Sequence, residues 1–562
     1  MKYAILILLV GTALASCAKR ESAGPAIDAL YFGGPIYTGV GAATVEAVAV
    51  ADGRIAATGG LAALKKLAGS ETALVDLDGA AMYPGFVDGH AHLFGIGRRE
   101  LTLNLEGVGS IEELVEIVAA NAGEAKPGEV VYGRGWIETG WPEGRFPTRD
   151  DLDPASPENP VILLRADGHA LVANSAALAQ AGIDAATADP AGGSIERDAA
   201  GRPTGILIDN AMSLVEALVA APSAVQREEA YAAGAEVYAA YGWTGLHNMS
   251  VDPNDLDMIE RLSDDGTIGI RVYNAVDPSG LDALAASGPR ASKNARVLTR
   301  AVKLYMDGAL GSRGAALLAP YADRPDTSGL LLMTPEQGMD LLAKAKAAGV
   351  QVATHAIGDR GNRLVLDWYE AALADADALA LRWRIEHAQI VDPADIPRFA
   401  RIGVIASMQP SHAIGDLFFA PARLGAGRLD GAYAWRSLVD SGANVVGGSD
   451  APVERGDPAI EFYAAVARRA LDGTQSAEWR PQQRLTRVEA LRLFTSAAAF
   501  ASFQEDDLGT IEVGKRADFS VFSKDLMIVP EAEILKAKAV MTVVDGEVVW
   551  REGDEPARIV PD

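Results

Sequence analysis

Eight short apolar segments, spaced by helical patterns and mostly ending on a histidine or an aspartate, constrain this chain more than any other feature. The first is Pro84-Gly85-Phe86-Val87-Asp88-Gly89-His90-Ala91-His92, with residues 82–87 apolar enough for a buried strand. The others are 243–248, 269–275, 301–306, 350–355, 383–387, 404–409 and 444–448. Helical patterns lie between and after them, among them 226–240, 335–348, 359–373 and 487–499. Strands alternating with helices predict βα units on a parallel sheet, and eight strands close a (β/α)8 barrel.

There are 7 histidines, and all but His169 fall at or just beyond the C-terminal end of a predicted strand. In such a barrel those ends converge on the active site. Residues i and i+2 of an extended segment share a face, so His90 and His92 present two imidazoles together, which suits a divalent ion of the zinc class. Asp450, in Gly448-Ser449-Asp450-Ala451-Pro452, closes the eighth strand in the same way. Lys303 lies within the fourth strand, where a buried ammonium is expensive unless it is paired or loses its charge.

The chain ends read as partners. Short strands at 28–32, 45–50 and 54–57 match in style those at 517–522, 539–544 and 547–550, which predicts one small β-sandwich built from both ends. Residues 97–221 break the βα rhythm with Gly, Pro and Asp clusters and read as a subdomain inserted after the first barrel strand. The expected division is 1–17 for an export signal with its lipidation site, 18–82 and 501–562 for the sandwich, and 83–500 for the barrel, with 97–221 as its insert.

Fifty Lys and Arg against 76 Asp and Glu, a net charge of −26, exclude a nucleic-acid surface. Residues 1–16 read as an export signal, with Lys2 ahead of an unbroken apolar run, too short for the roughly 20 residues that span a bilayer. The run ends in Leu14-Ala15-Ser16-Cys17, which resembles the lipobox of bacterial lipoproteins. Cys17 is the 1 cysteine of the chain, so an intrachain disulfide is excluded. An exported protein lipid-anchored at Cys17, its catalytic part periplasmic, is the expectation; the anchor is its only membrane contact.

The stretches PGFVDGHAH, GWIETGWP, RADGHALVANSAAL, VKLYMDGALGSRGAAL, THAIGDRGNR, RIEHAQ, SMQPSHA, GGSDAPVE and GTIEVGKRADFSVF, in this order, resemble the metal-dependent amidohydrolase superfamily, specifically its family 3, which includes N-substituted formamide deformylases. The resemblance implies that His90, His92 and Asp450 bind one ion, His355 and His387 a second, and that Lys303, carboxylated on its amine, bridges them. Zinc fits the ligand types, as one or two ions, although manganese, iron or nickel would also be held. The implied reaction is hydrolysis of a non-peptide C–N bond by metal-activated water, with Asp450 as general base and then acid. N-formyl, N-acyl and cyclic amides are the substrate types, with deamination, lactone or ester hydrolysis at the same site as alternatives. A non-catalytic binding protein is a further alternative, opposed by the complete ligand set.

By the same resemblance, His169 and Asn174 face substrate. His412 is placed against substrate and His247 behind the ligands. Trp136, with Trp141 beside it, is placed in the pocket wall and Arg313 against a substrate anion; packing and an exposed loop charge are their alternatives. Asp209 stands where relatives often carry Glu. The partner expected is a small molecule, with the oligomeric state left open and a homodimer as one option.

Overall fold

The computed structural model describes residues 27–374, 378–474 and 479–554, so the leader and Cys17 lie outside the described residues. Eight parallel strands follow one another in hydrogen-bonded order: β1 (Phe86–Ala91), β2 (Trp243–Val251), β3 (Arg271–Val276), β4 (Val297–Tyr305), β5 (Gln351–Ala356), β6 (Arg384–His387), β7 (Ile405–Met408) and β8 (Val445–Gly447). Each of the eight apolar segments supplies one of them. Strands β3, β5, β6 and β7 are buried along their whole length. Helices on one face and the barrel interior on the other explain why these segments are apolar throughout rather than alternating.

The ring is nearly closed. No ladder joins β8 to β1, but the Asp450 N–H donates to the His90 carbonyl at 2.7 Å and the His92 N–H to the Ala451 carbonyl at 2.8 Å. Glycines permit this approach: a Cβ on Gly448 would lie 2.4 Å from the His90 nitrogen, and one on Gly89 would lie 2.5 Å from the Gly447 carbonyl oxygen.

The predicted strand over 82–87 is in fact two, Ala81–Pro84 in another sheet and β1 in the barrel, divided at Gly85. A Cβ there would meet Thr244 Oγ1 at 2.3 Å, so the residue between the two sheets has to be glycine. The predicted helix over 487–499 also divides, into Arg487–Leu493 and Ser496–Ala501. Between them Thr495 donates its hydroxyl back to the Leu491 carbonyl at 2.7 Å, a bond that competes with the helical ladder.

Strands from both chain ends share one eight-stranded sheet. Ala29–Tyr37, Thr44–Ala51, Arg54–Gly59, Ala73–Asp76 and Ala81–Pro84 come from the first end, and Phe519–Phe522, Ala539–Val544 and Glu547–Arg551 from the second. The expected pair of stacked sheets is thus a single continuous one. It curls over an apolar core in which Tyr31 meets the edge of Phe519 at 5.2 Å. Arg271 of β3 ties this sheet to the barrel, reaching Asp518 and Asp545 at 2.5 Å each.

Residues 97–221 carry a second, six-stranded sheet: Leu103–Asn104, Val131–Trp136, Val161–Arg165, Ala170–Ala173, Gly193–Arg197 and Pro203–Asp209. Its own core includes Trp136, Leu163, Val172 and Ile206. Among the described residues no helix is long and apolar enough to cross a membrane.

Candidate metal centre

His90 is the last inward-facing residue of β1 and is fully buried. Its Nδ1 lies 2.5 Å from Glu386 Oε2, which leaves Nε2 directed at Asp450 Oδ1 (3.4 Å) and Lys303 Nζ (3.3 Å). His92 follows at the start of the helix Leu93–Leu101, with Nδ1 on the Met249 carbonyl at 3.1 Å and Nε2 on Asp450 Oδ1 at 3.1 Å. His387 ends β6 with φ 72, and this left-handed turn brings its ring to 4.9 Å from His90, centroid to centroid. His355, on β5, stands 4.5 Å from His387. His90, His387 and Asp450 each offer a donor atom within 4.8 Å of the other two.

The electrostatics suit a divalent cation. Burial, reinforced by Lys303, pushes His90 down to about 4; it also drives His355 and His387 well below the ordinary imidazole value. These rings are neutral at pH 7 and keep a lone pair free. Burial alone would raise Asp450, but His90, His92 and His387 hold it well below the usual carboxylate range. Lys303 is 1% exposed, and its burial outweighs Glu386 and Asp450 to bring its amine down to about 8. His355 Nε2 is buried with no hydrogen-bond partner, a state rare in native proteins unless something else is bound there. Neutral imidazoles, an ionised carboxylate and an orphaned ring nitrogen fit a zinc-class ion.

His92, His355, His387 and Asp450 line a cavity of about 800 Å³ at the C-terminal mouth of the barrel, together with Lys303, His169 and His412, and His90 lies buried behind them. His169 comes from the insert and is held by Asp209, Nδ1 to Oδ1 at 2.7 Å. His412, in the helix Pro410–Gly415 after β7, stacks on His387 at 5.9 Å and places Nε2 3.7 Å from Asp450 Oδ2. His247 is mid-strand rather than at a strand end, because β2 runs on to Val251; its Nδ1 accepts from Arg384 Nη1 at 2.8 Å, below the cavity.

Three expected substrate contacts are elsewhere. Asn174 is fully buried as the N-cap of Ser175–Gln180, and its side chain is consumed by the backbone of Val161, Ala177, Ser156 and Asn159. Trp136 packs in the core of the insert, donating from Nε1 to the Leu163 carbonyl at 2.8 Å. Arg313 pairs with Asp323 at 2.9 Å, away from the cavity lining. Trp136 sits between Gly135 and Ile137, which do line it, while Arg313 lies two residues after Gly311 and Asn174 five after His169, the nearest lining residues.

Glu386, Arg384 and Gln409 were not anticipated. Glu386 is buried, and Arg384 grips it from Nε at 2.6 Å and Nη2 at 3.0 Å. Burial works against this carboxylate, yet Arg384, His90 and Lys303 keep it far below its ordinary pKa. Gln409 Oε1 stands 2.9 Å from His387 Nδ1. The signal was available: Arg384 and Glu386 are two charges spaced by two in an otherwise apolar strand, the argument already applied to Lys303.

The sequence profile of the amidohydrolase family matches residues 73–550. The Bacillus subtilis protein YtcJ is 34% identical over 94% of this chain and 100% of its own length. An N-substituted formamide deformylase of Arthrobacter pascens is 29% identical over 89% of this chain and 94% of that enzyme. Among solved structures, an uncharacterized metal-dependent hydrolase of Pyrococcus horikoshii OT3 superposes with a TM-score of 0.72 at 29% identity, covering 90% of this chain and 99% of the other. With the profile spanning most of the chain, this protein belongs to the amidohydrolase family of hydrolases, and His90, His387 and Asp450 form a candidate metal site at the mouth of its barrel.

Proposed function

We propose that this hydrolase cleaves a non-peptide C–N bond, of the N-formyl or N-acyl amide type, at a centre for one or two zinc-class ions. The observation that carries this reading is the convergence of His92, His355, His387, Asp450 and Lys303 on one cavity, with His90 buried directly behind Asp450 and Lys303. The similarity to a formamide deformylase supports the amide class. His90, His92 and Asp450 would hold one ion, with His387 within reach of the same point; His355 and His387 would hold the other, and Lys303, carboxylated, would join them. A divalent ion supplies a polarised carbonyl and a water of lowered pKa.

The chain's own residues do the rest. Asp450, ionised at rest, takes a proton on its carboxylate and returns it to the departing nitrogen. His412 Nε2 stands 3.7 Å from its Oδ2, without a hydrogen bond to it. Lys303, with its amine lowered to about 8, keeps a share of the neutral form that carbon dioxide requires. The insert, which contributes His169, covers the mouth as a subdomain, and the sheet shared by the chain ends forms a separate domain. The segment up to Cys17 would place the protein on the periplasmic face of a bacterial envelope.

Metal content per chain, measured on wild type and Lys303→Ala without residues 1–17, together with release of acid from an N-acyl panel, tests this reading. About two ions falling to one or none in the variant supports the bridged pair. One ion in both assigns Lys303 a structural role and favours a single-ion site. No metal in either after zinc loading removes the reading.

A further inference from the structure

Three arginines line the cavity: Arg134, Arg165 and Arg455. Two are neutralised within the fold. Arg165 is held by Glu138 Oε2 at 2.8 Å and by Asp167, and Arg455 by Glu106 Oε1 at 2.6 Å. Arg134 differs. It makes no ion pair among the described residues, and of its five N–H groups the contact seen is Nη2 to the Ala166 carbonyl at 3.0 Å. Its Nε is buried with no hydrogen-bond partner.

Arg134 is delivered by the strand Val131–Trp136 of the insert, opposite the barrel ligands. It is near enough to feel the charges of Asp450 and Asp167 without touching either. Gly168, at φ 71, lies beside the fork, where a Cβ would stand in ordinary contact 3.5 Å from Nη2. A guanidinium with a vacant fork in a desolvated cavity is costly unless the ligand completes it. Phe94, Ile137, Leu310, Phe418 and Phe419 make much of the remaining wall apolar.

We infer that Arg134 is the specificity-determining residue of this site, receiving the carboxylate of an amide substrate that also carries an apolar group, as an N-acyl amino acid does. The inference rests on the amide reading above. A planar carboxylate matches the guanidinium fork bidentately and supplies the missing anion. The carboxylate end would then anchor under the insert while the amide lies toward His90, His387 and Asp450.

The test uses the zinc-loaded full chain and matched pairs, N-formyl-, N-acetyl- and N-benzoylglycine beside their neutral glycinamides, reading release of the acyl acid. Wild type is expected to prefer each glycine over its glycinamide by roughly 10- to 100-fold in kcat/KM, mainly through KM. Arg134→Gln is expected to lose that preference, with zinc content and circular dichroism matching wild type to show that it folds. Arg134→Lys, keeping the charge without the fork, is expected to lie between. Equal turnover of acid and amide by wild type, or a preference unchanged in Arg134→Gln, overturns the inference. If no pair is hydrolysed, calorimetric binding of N-benzoylglycine against N-benzoylglycinamide decides. Acid binding that weakens about tenfold in Arg134→Gln upholds Arg134 and counts against the hydrolytic reading alone; binding indifferent to both charges overturns Arg134.

Discussion

Glu386 Oε2 lies 2.5 Å from His90 Nδ1, with both side chains sealed from solvent. The contact fixes which imidazole nitrogen is left for the cavity, because the Nδ1 proton is claimed by the carboxylate and Nε2 keeps its lone pair. Arg384 in turn fixes Glu386 and also donates to the Gly89 carbonyl at 2.7 Å and Ser407 Oγ at 2.7 Å, so the support runs across three strands.

Glu386→Gln therefore weakens zinc affinity by about 10- to 100-fold, as removal of such supporting partners does. It also leaves Arg384 without its counter-ion at a cost of about 3 kcal/mol or more. Competition with a graded chelator, scored on folded protein alone, reads the first effect. Unchanged zinc affinity would reduce the contact to packing.

Gly448 sits on the seam where β8 meets β1, between Asp88, which accepts from the Ser449 and His90 backbone N–H groups, and His90 itself. An added methyl would press on the His90 backbone nitrogen, which cannot rotate away as a side chain can. Gly448→Ala is predicted to cost about 1–3 kcal/mol and to displace Asp450 from the histidines. A lower Tm together with substoichiometric zinc is the expected pair of results; lost stability with full zinc would show that the seam and the site are independent.

How far the sequence reaches is clear from particular residues. The eight strands and their order were legible because burial on both faces leaves an unbroken apolar run, and because polar residues at strand ends cannot be core. That contrast singles out His90, His92, His355, His387 and Asp450 as candidates, as a charge inside a buried strand does Lys303; among them His90, His387 and Asp450 bring donor atoms within 4.8 Å of one another. The division at Gly85 was not legible, since Pro84 and Phe86 are equally apolar and only the proximity of Thr244 separates them. Nor were Asn174 and Trp136. A polar or aromatic residue in an irregular insert looks the same whether it caps a helix, fills a core or faces a ligand, and only the fold of the insert distinguishes these.

Asn174 shows the difference in energy. Its Oδ1 accepts from Val161 N–H at 2.9 Å and Ala177 N–H at 3.0 Å, and its Nδ2 donates to the carbonyls of Ser156 at 2.8 Å and Asn159 at 3.0 Å. Asn174→Ala leaves the Val161 and Ala177 N–H groups and the Ser156 carbonyl unpaired, while the Asn159 carbonyl keeps the Ser156 hydroxyl, and is predicted to cost about 2–4 kcal/mol. Per folded molecule, kcat/KM should match wild type. A large fall in kcat/KM with unaltered stability would return Asn174 to the substrate face.

Asp545 gives the fold an acid limit separate from the metal site. Burial by itself would raise its pKa, but Arg271, Arg516 and Arg296 more than reverse that and hold it at about 2, against an ordinary value of 3.8. A carboxyl whose folded pKa lies below its unfolded one adds stability that is complete above the unfolded value and disappears as pH falls through the folded one. The window thus runs from just above pH 4 down to about 2, and the contribution is roughly 2 kcal/mol at 1.36 kcal/mol per unit. Because Arg271 belongs to β3 and Asp545 to the turn before Glu547–Arg551, what weakens is the hold of the chain-end sheet on the barrel. Denaturant unfolding of wild type and Asp545→Asn across this range isolates the effect, since the other acids and the histidines of the candidate metal site are the same in both. The stability gap between the two proteins should be about 2 kcal/mol at pH 5 and close as the pH falls below 3. A gap that stays constant would mean that Asp545 does not titrate there and that the three arginines hold it by geometry rather than charge.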